Sequence, residues 1–203
     1  MAVIGVTRRG LCLATGALAL IAPASAMGQT RHIYGPYSRN SLLLLHGRGE
    51  GPKPVVVMVP DRGQSRSSLM PTARDLVRRG ISVAVTDRRE GRHGFMAHTS
   101  DVACAIGYLN GRLDELALDG RIALWGMGEG ADMALLCVAD RRYLSAVGMR
   151  PRDIVGLALL DEGRSSDPTF TRAEAYGGAS MSAVFRGGRG DHASATAFLS
   201  GLL

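Results

Sequence analysis
Three groups of residues carry side chains or turns that could do chemistry. The first is a glycine-spaced turn, Trp125-Gly126-Met127-Gly128-Glu129-Gly130, which leads straight from an apolar run into a helical pattern. Alternating glycines at 126, 128 and 130 suit a sharp strand-to-helix turn, whose strained apex needs small neighbours and whose helix packs close. The spacing is wrong for the Gly-x-Gly-x-x-Gly turn of a dinucleotide site, and Glu129 would stand where a phosphate needs the helix amino terminus. The second group is hydroxyls: Ser65, Ser67 and Ser68 follow an apolar run, so Ser65 is a candidate nucleophile, while Ser67 or Ser68 can cap the next helix. The third is acid and imidazole. Asp191 is either a carboxylate for a catalytic pair or the cap of the last helix, and His192 adjoins it. His93 and His98 flank a loop before a helix and are candidate bases, although a loop histidine is more often simply solvated. No His/Cys/Glu cluster has metal-ligand spacing, and no cofactor is implied.

The elements that must position these residues follow from periodicity. Apolar, β-branched runs at residues 54–59, 81–85, 121–125 and 154–160 read as buried strands. Between them lie segments with helical spacing: Leu69, Ala73, Leu76 and Val77; then Val102, Ala105, Ile106 and Leu109, with Thr99 or Ser100 as the cap; then Ala131, Ala134, Leu135 and Val138. Strand and helix in alternation predict an α/β fold, a mainly parallel sheet with helices on both faces. Residues 42–45 are expected to form an edge strand before it and 181–185 a strand near the other edge, with a final helix over 191–202. In open sheets of this kind ligands bind beyond the carboxyl ends of the strands, so a binding site is expected there.

The segment from Asp119 to Leu136, with its Gly126-x-x-x-Gly130 turn, resembles the nucleophile elbow of α/β hydrolases, Gly-x-Ser-x-Gly, as found in bacterial esterases and dienelactone-hydrolase-like proteins. Asp87-Arg88 resembles a turn common in the same proteins, and the similarity covers roughly residues 54–160. The resemblance implies ester or acyl hydrolysis by a triad in the order nucleophile, acid, histidine, with backbone N–H groups facing the oxyanion, and a small acyl or hydrophobic ligand at the carboxyl ends of the strands. The departures imply a degenerate site. Gly128 occupies the apex, where the family has Ser, Cys or Asp. Asp61 stands in Pro60-Asp61-Arg62-Gly63, where oxyanion donors are needed, and would oppose an oxyanion unless Arg62 neutralises it. Asp191 matches the acid's position, but His192 falls in the wrong place in the order, and the family's late strand and histidine loop are expected to be missing, a truncation at the carboxyl end. Two functions follow: a catalytically degenerate binding or vestigial protein, taking a small molecule or a protein, or an active ester hydrolase with an unconventional nucleophile.

Composition bounds the rest. The 203 residues are 46% hydrophobic and 21% charged, as expected for one globular domain. Net charge is +6, and Lys53 is the only lysine. The arginines are scattered, with acids between them and no nucleic-acid-binding motif, so no nucleic-acid partner is expected. Thr7-Arg8-Arg9-Gly10-Leu11, an apolar Gly/Ala-rich run and Ala24-Ser25-Ala26 have the order of a signal peptide, and the arginine pair resembles the twin-arginine export signal. Residues 1–26 are therefore expected to be removed, leaving a single α/β-hydrolase-like domain over 27–203 in the periplasm or outside the cell. The apolar run is too short for a stable membrane anchor. Of the two remaining cysteines, Cys104 and Cys137, both are expected to be buried thiols without a disulfide. The oligomeric state is left open.

Overall fold
A computed structural model describes residues 28–37, 39–87, 94–163 and 183–203. Among the described residues seven strands form one sheet: β1 (Gln29–Ile33), β2 (Ser41–Leu45), β3 (Lys53–Val59), β4 (Ser82–Thr86), β5 (Leu118–Met127), β6 (Ile154–Leu160) and β7 (Val184–Gly187). Their spatial order is β1-β2-β4-β3-β5-β6-β7. From β4 through β7 every neighbouring pair is parallel, while β2 runs antiparallel to both β1 and β4. The four central runs predicted as a parallel sheet are thus β3, β4, β5 and β6. Residues 42–45 lie one strand in from the edge, because the largely exposed β1 covers β2; its polar sequence, Gln-Thr-Arg-His-Ile, gave no apolar signal.

Among the described residues there are five α-helices: α1 (Met70–Arg78), α2 (Phe95–Asn110), α3 (Glu129–Ala139), α4 (Arg141–Ser145) and α5 (His192–Leu202). Burial on both faces explains the near-continuous apolar strands. Side chains alternate along β3, so Val55, Val57 and Val59 join the core under α2 and α3. Val56 and Met58 join a second core with Trp125, under α1 and α5. A fully buried Val or Leu contributes about 1.5–3 kcal/mol relative to exposure, so these two layers are what hold the strand ends in register.

Helix starts differ from expectation. Neither Ser67 nor Ser68 caps α1: a 3₁₀ turn, Arg66–Leu69, precedes it, and Leu69 is the residue at its cap. Helix α2 begins earlier than expected, at Phe95 with Gly94 as its cap, and Thr99 and Ser100 instead return their hydroxyls to the carbonyls of Phe95 and Met96. Cys137 is buried, but Cys104 is exposed. The core takes Val102, Ala103, Ala105 and Ile106, which leaves position 104 on the outer side of α2.

Candidate functional site
The turn from β5 into α3 has the geometry of an elbow. Gly128 sits at its apex with φ 55° and ψ −125°, a conformation that costs any residue with a Cβ. Its N–H donates to the Leu160 carbonyl at the end of β6, 2.8 Å away. A Cβ on Gly126 would lie 2.4 Å from Ala131 Cα, and one on Gly130 would lie 2.4 Å from the Val59 carbonyl oxygen. Those two glycines let α3 press against β5 and the end of β3, as their spacing predicts.

The space above the apex is filled by Asp61, at the carboxyl end of β3. Its Oδ1 accepts hydrogen bonds from two backbone N–H groups, Arg62 at 2.7 Å and Glu129 at 3.0 Å. Its Oδ2 accepts from the Arg189 guanidinium at 2.7 Å. A Cβ built on Gly128 would come within 2.2 Å of Asp61 Oδ1. Burial raises the cost of the Asp61 charge, but the Arg189 hydrogen bond and the two backbone donors outweigh it and hold the carboxyl below its ordinary range.

A chain of ion pairs surrounds this carboxylate. Glu129 is buried, and both its oxygens accept from Arg62, at 3.1 and 2.8 Å, a two-pronged geometry typical of strong arginine–carboxylate pairs. Arg189 bridges Asp61 to Asp161, whose Oδ2 it reaches at 2.8 Å. Asp132, fully buried one turn into α3, accepts from the Gly163 N–H at 2.7 Å and so ties α3 to the chain leaving β6. The sequence leaves open whether Arg62 neutralises Asp61, and the Arg62 side chain pairs elsewhere. Arg62 lends Asp61 only its backbone N–H, its guanidinium is committed to Glu129, and Arg189 is the counter-charge.

The other candidates do not assemble around Gly128. The Asp191 carboxylate accepts from the Gly188 N–H at 2.7 Å and closes the turn after β7; it stands at the start of α5 but makes no side-chain cap bond there. His192 Nδ1 lies 2.8 Å from Thr72 Oγ1, and its ring leans on Trp125 with centroids 5.3 Å apart, so it joins α5 to α1 in the second core. His98 is buried on α2. His93 lies outside the described residues. Ser65 and Ser67 share a hydroxyl contact at 2.5 Å, and Ser68 donates to the Ser65 carbonyl, so these hydroxyls are used within their own turn. Asp87 pairs with Arg66 at 2.7 Å and with Arg39 at 3.5 Å, a tie between loops at the strand ends. Sequence reasoning missed Arg189 and Asp161. An arginine in the glycine-rich turn Gly187-Gly188-Arg189-Gly190 is the one signal that could have drawn attention to a side chain reaching across the strand ends.

Among the described residues no group of His, Cys, Asp and Glu is arranged to hold a metal ion, and no helix is long and apolar enough to cross a membrane. No family model matches the chain, and no curated protein matches it in sequence. Solved structures do match. A hyperthermophilic esterase from the archaeon Pyrobaculum calidifontis superposes with a TM-score of 0.57 at 20% identity, over 87% of this chain and 57% of that one. A putative thioesterase from a Silicibacter species gives 0.59 at 18%, over 85% and 73%. The fold is that of the α/β hydrolases. A thermophilic esterase from the planctomycete Thermogutta terrifontis matches with a TM-score of 0.56 at 18% identity, over 73% of this chain and 61% of that one. The chain thus spans about three fifths of the two esterases' length. In an α/β hydrolase the donors aimed at an oxyanion are the N–H after the nucleophile and one from the loop after the third strand. In this chain the N–H after Gly128 is that of Glu129 and the loop after β3 carries that of Arg62, and these two hold Asp61.

Proposed function
We propose that this chain is an exported, catalytically silent α/β-hydrolase-fold protein that acts by binding rather than by turnover. The observation that carries the reading is Asp61. Its carboxylate takes both backbone donors of the oxyanion position and the volume that a nucleophile's side chain would need above Gly128. An acyl-transfer transition state places developing negative charge on such donors, and preorganised donors account for much of its stabilisation. Donors already saturated by a carboxylate supply none of it. Gly128 brings no side-chain oxygen or sulfur, and the His192 ring is engaged with Thr72 and Trp125. No observation favours the alternative of an active ester hydrolase using Ser65, whose hydroxyl contacts that of Ser67.

A hydrophobic ligand remains the expected cargo. A cavity of about 510 Å³ between α2 and α4, lined by Met96, Ala103, Cys104, Tyr143, Ala146 and Val147 among others, has the volume of a small-molecule site. It shares no lining residue with the elbow, where the ion pairs disfavour an acyl chain. The test is turnover of short acyl esters by the purified chain. None above the buffer rate is expected. Turnover abolished by Ser65→Ala, Ser67→Ala or Ser68→Ala would overturn the reading and identify the nucleophile.

A further inference from the structure
The amino ends of the parallel strands β3, β4 and β5, opposite the elbow, border a second cavity, of about 400 Å³. Arg48, Lys53, Arg79 and Arg121 line it together with Ser200 and Leu203, and among the described residues no acidic side chain does. The four cations come from four parts of the chain: the loop after β2, the first position of β3, the end of α1, and β5. Like charges gathered around one hollow repel one another, a cost that a bound anion removes.

The cations are held in place by structure that serves no core. Lys53 of β3 faces Leu118 of β5, but Val55 faces Ile122, so β5 carries two extra residues there. They form a bulge with Gly120 at φ 88°, and a bulge re-aims the side chains it carries. Within it Asp119 accepts from the Arg121 N–H at 2.9 Å, its Nε at 3.0 Å and its Nη2 at 2.6 Å. Arg121 also reaches a main-chain oxygen of Leu203. Asp75 accepts from Arg79 Nε at 3.3 Å, and the Arg48 N–H donates to the Val77 carbonyl at 3.0 Å. Asp75 and Asp119 offset two of the four charges from outside the lining and leave the hollow positive. Lys53, the only lysine of the chain, is half-buried in it. Its ammonium has three donors, and one goes to the Glu50 carbonyl at 2.5 Å.

We propose that this hollow binds a small soluble anion bearing phosphate groups, of about pyrophosphate size, with Lys53 and Arg121 donating to its oxygens and Arg48 and Arg79 adding charge. Arginine forks and a lysine point charge suit phosphate oxygens, and the volume is that of a small-molecule site. The site lies at the end of the sheet away from Gly128, so it stands whether or not the chain turns over esters.

The experiment uses the chain labelled with ¹⁵N-lysine, in which Lys53 gives the one lysine amide signal. Sodium pyrophosphate is titrated in metal-free buffer, beside sodium sulfate at equal ionic strength. The signal is expected to shift saturably in pyrophosphate, with a midpoint at least about tenfold below that in sulfate, and calorimetry to return the same midpoint. Lys53→Gln and Arg121→Gln are each expected to weaken calorimetric binding at least about tenfold, as loss of a charged hydrogen bond implies. Arg39→Gln removes one charge beyond the carboxyl end of β4, and is expected to leave binding within about twofold. Equal responses to sulfate and pyrophosphate would overturn the proposal, as would an Arg39→Gln loss as large as that of Lys53→Gln. Capture by phosphatidylglycerol vesicles without a saturable pyrophosphate response would also overturn it, assigning the charge to a lipid surface. The wild-type titration gives a reading on its own should a variant fail to fold.

Discussion

At the residue scale the chemistry turns on one carboxylate and one missing side chain. Gly128→Ser restores the hydroxyl that the elbow of an α/β hydrolase carries, yet its Cβ would fall 2.2 Å from Asp61 Oδ1 at a positive φ. The variant is expected to lose about 1–3 kcal/mol of stability, from the backbone conformation and the displaced Asp61, and to gain no ester turnover. Urea unfolding and an ester assay on the same sample check both halves. Asp61 also sets a pH dependence. Its carboxyl, like that of Asp140 held by the Arg142 hydrogen bond against the cost of burial, lies below the ordinary value in the folded chain. An unfolded Asp ionises near pH 3.9, so the stabilisation from these groups is fully present above about pH 4 and is lost as pH falls through the lower folded values. Asp61→Asn is expected to lower the Tm at neutral pH and to flatten the fall in Tm below pH 4, read by thermal unfolding at stepped pH.

At the scale of elements, the elbow depends on close backbone approach. A Cβ on Gly130 meets the Val59 carbonyl oxygen at 2.4 Å, a backbone atom that yields only if β3 or α3 moves. Gly130→Ala is expected to destabilise by more than about 2 kcal/mol, beyond what ordinary surface substitutions cost, while Gly148→Ala, which meets no atom within 4 Å, costs only its positive-φ strain. Denaturant midpoints of the two variants give the comparison. Sequence pattern revealed the four central strands because each is buried on both faces and reads as an unbroken apolar run. It revealed the elbow because its glycines answer to sterics. It did not reveal β1, which is polar and paired on one side only, or the early start of α2, where an extended glycine serves as cap in place of a hydroxyl. The ion pairs were illegible for a different reason. Asp61 and Arg189 are 128 residues apart, and only the sheet order brings the ends of β3 and β7 across β5 and β6 within a side chain's reach. Asp191 was a natural choice for an acid, two positions from the arginine that actually reaches the site.

At the scale of the whole molecule, an α/β-hydrolase sheet is kept while the strand ends carry saturated ion pairs. The two cores flanking β5 hold that sheet together. Trp125→Ala, removing a fully buried indole from the second core, is expected to cost about 3–5 kcal/mol, seen as a lowered denaturant midpoint at constant slope. Export is a separate expectation at this scale: amino-terminal sequencing of protein recovered outside the cytoplasm should begin near Met27, and a chain retained with Met1 intact would contradict it. The central proposal is that the folded chain carries no activated nucleophile. The measurement that tests it most directly is the intact mass of the native protein after incubation with a fluorophosphonate, which labels activated serines without needing the right substrate. The account predicts an unchanged mass. A single adduct, mapped to Ser65 or to any other serine and absent from the unfolded chain, would contradict it.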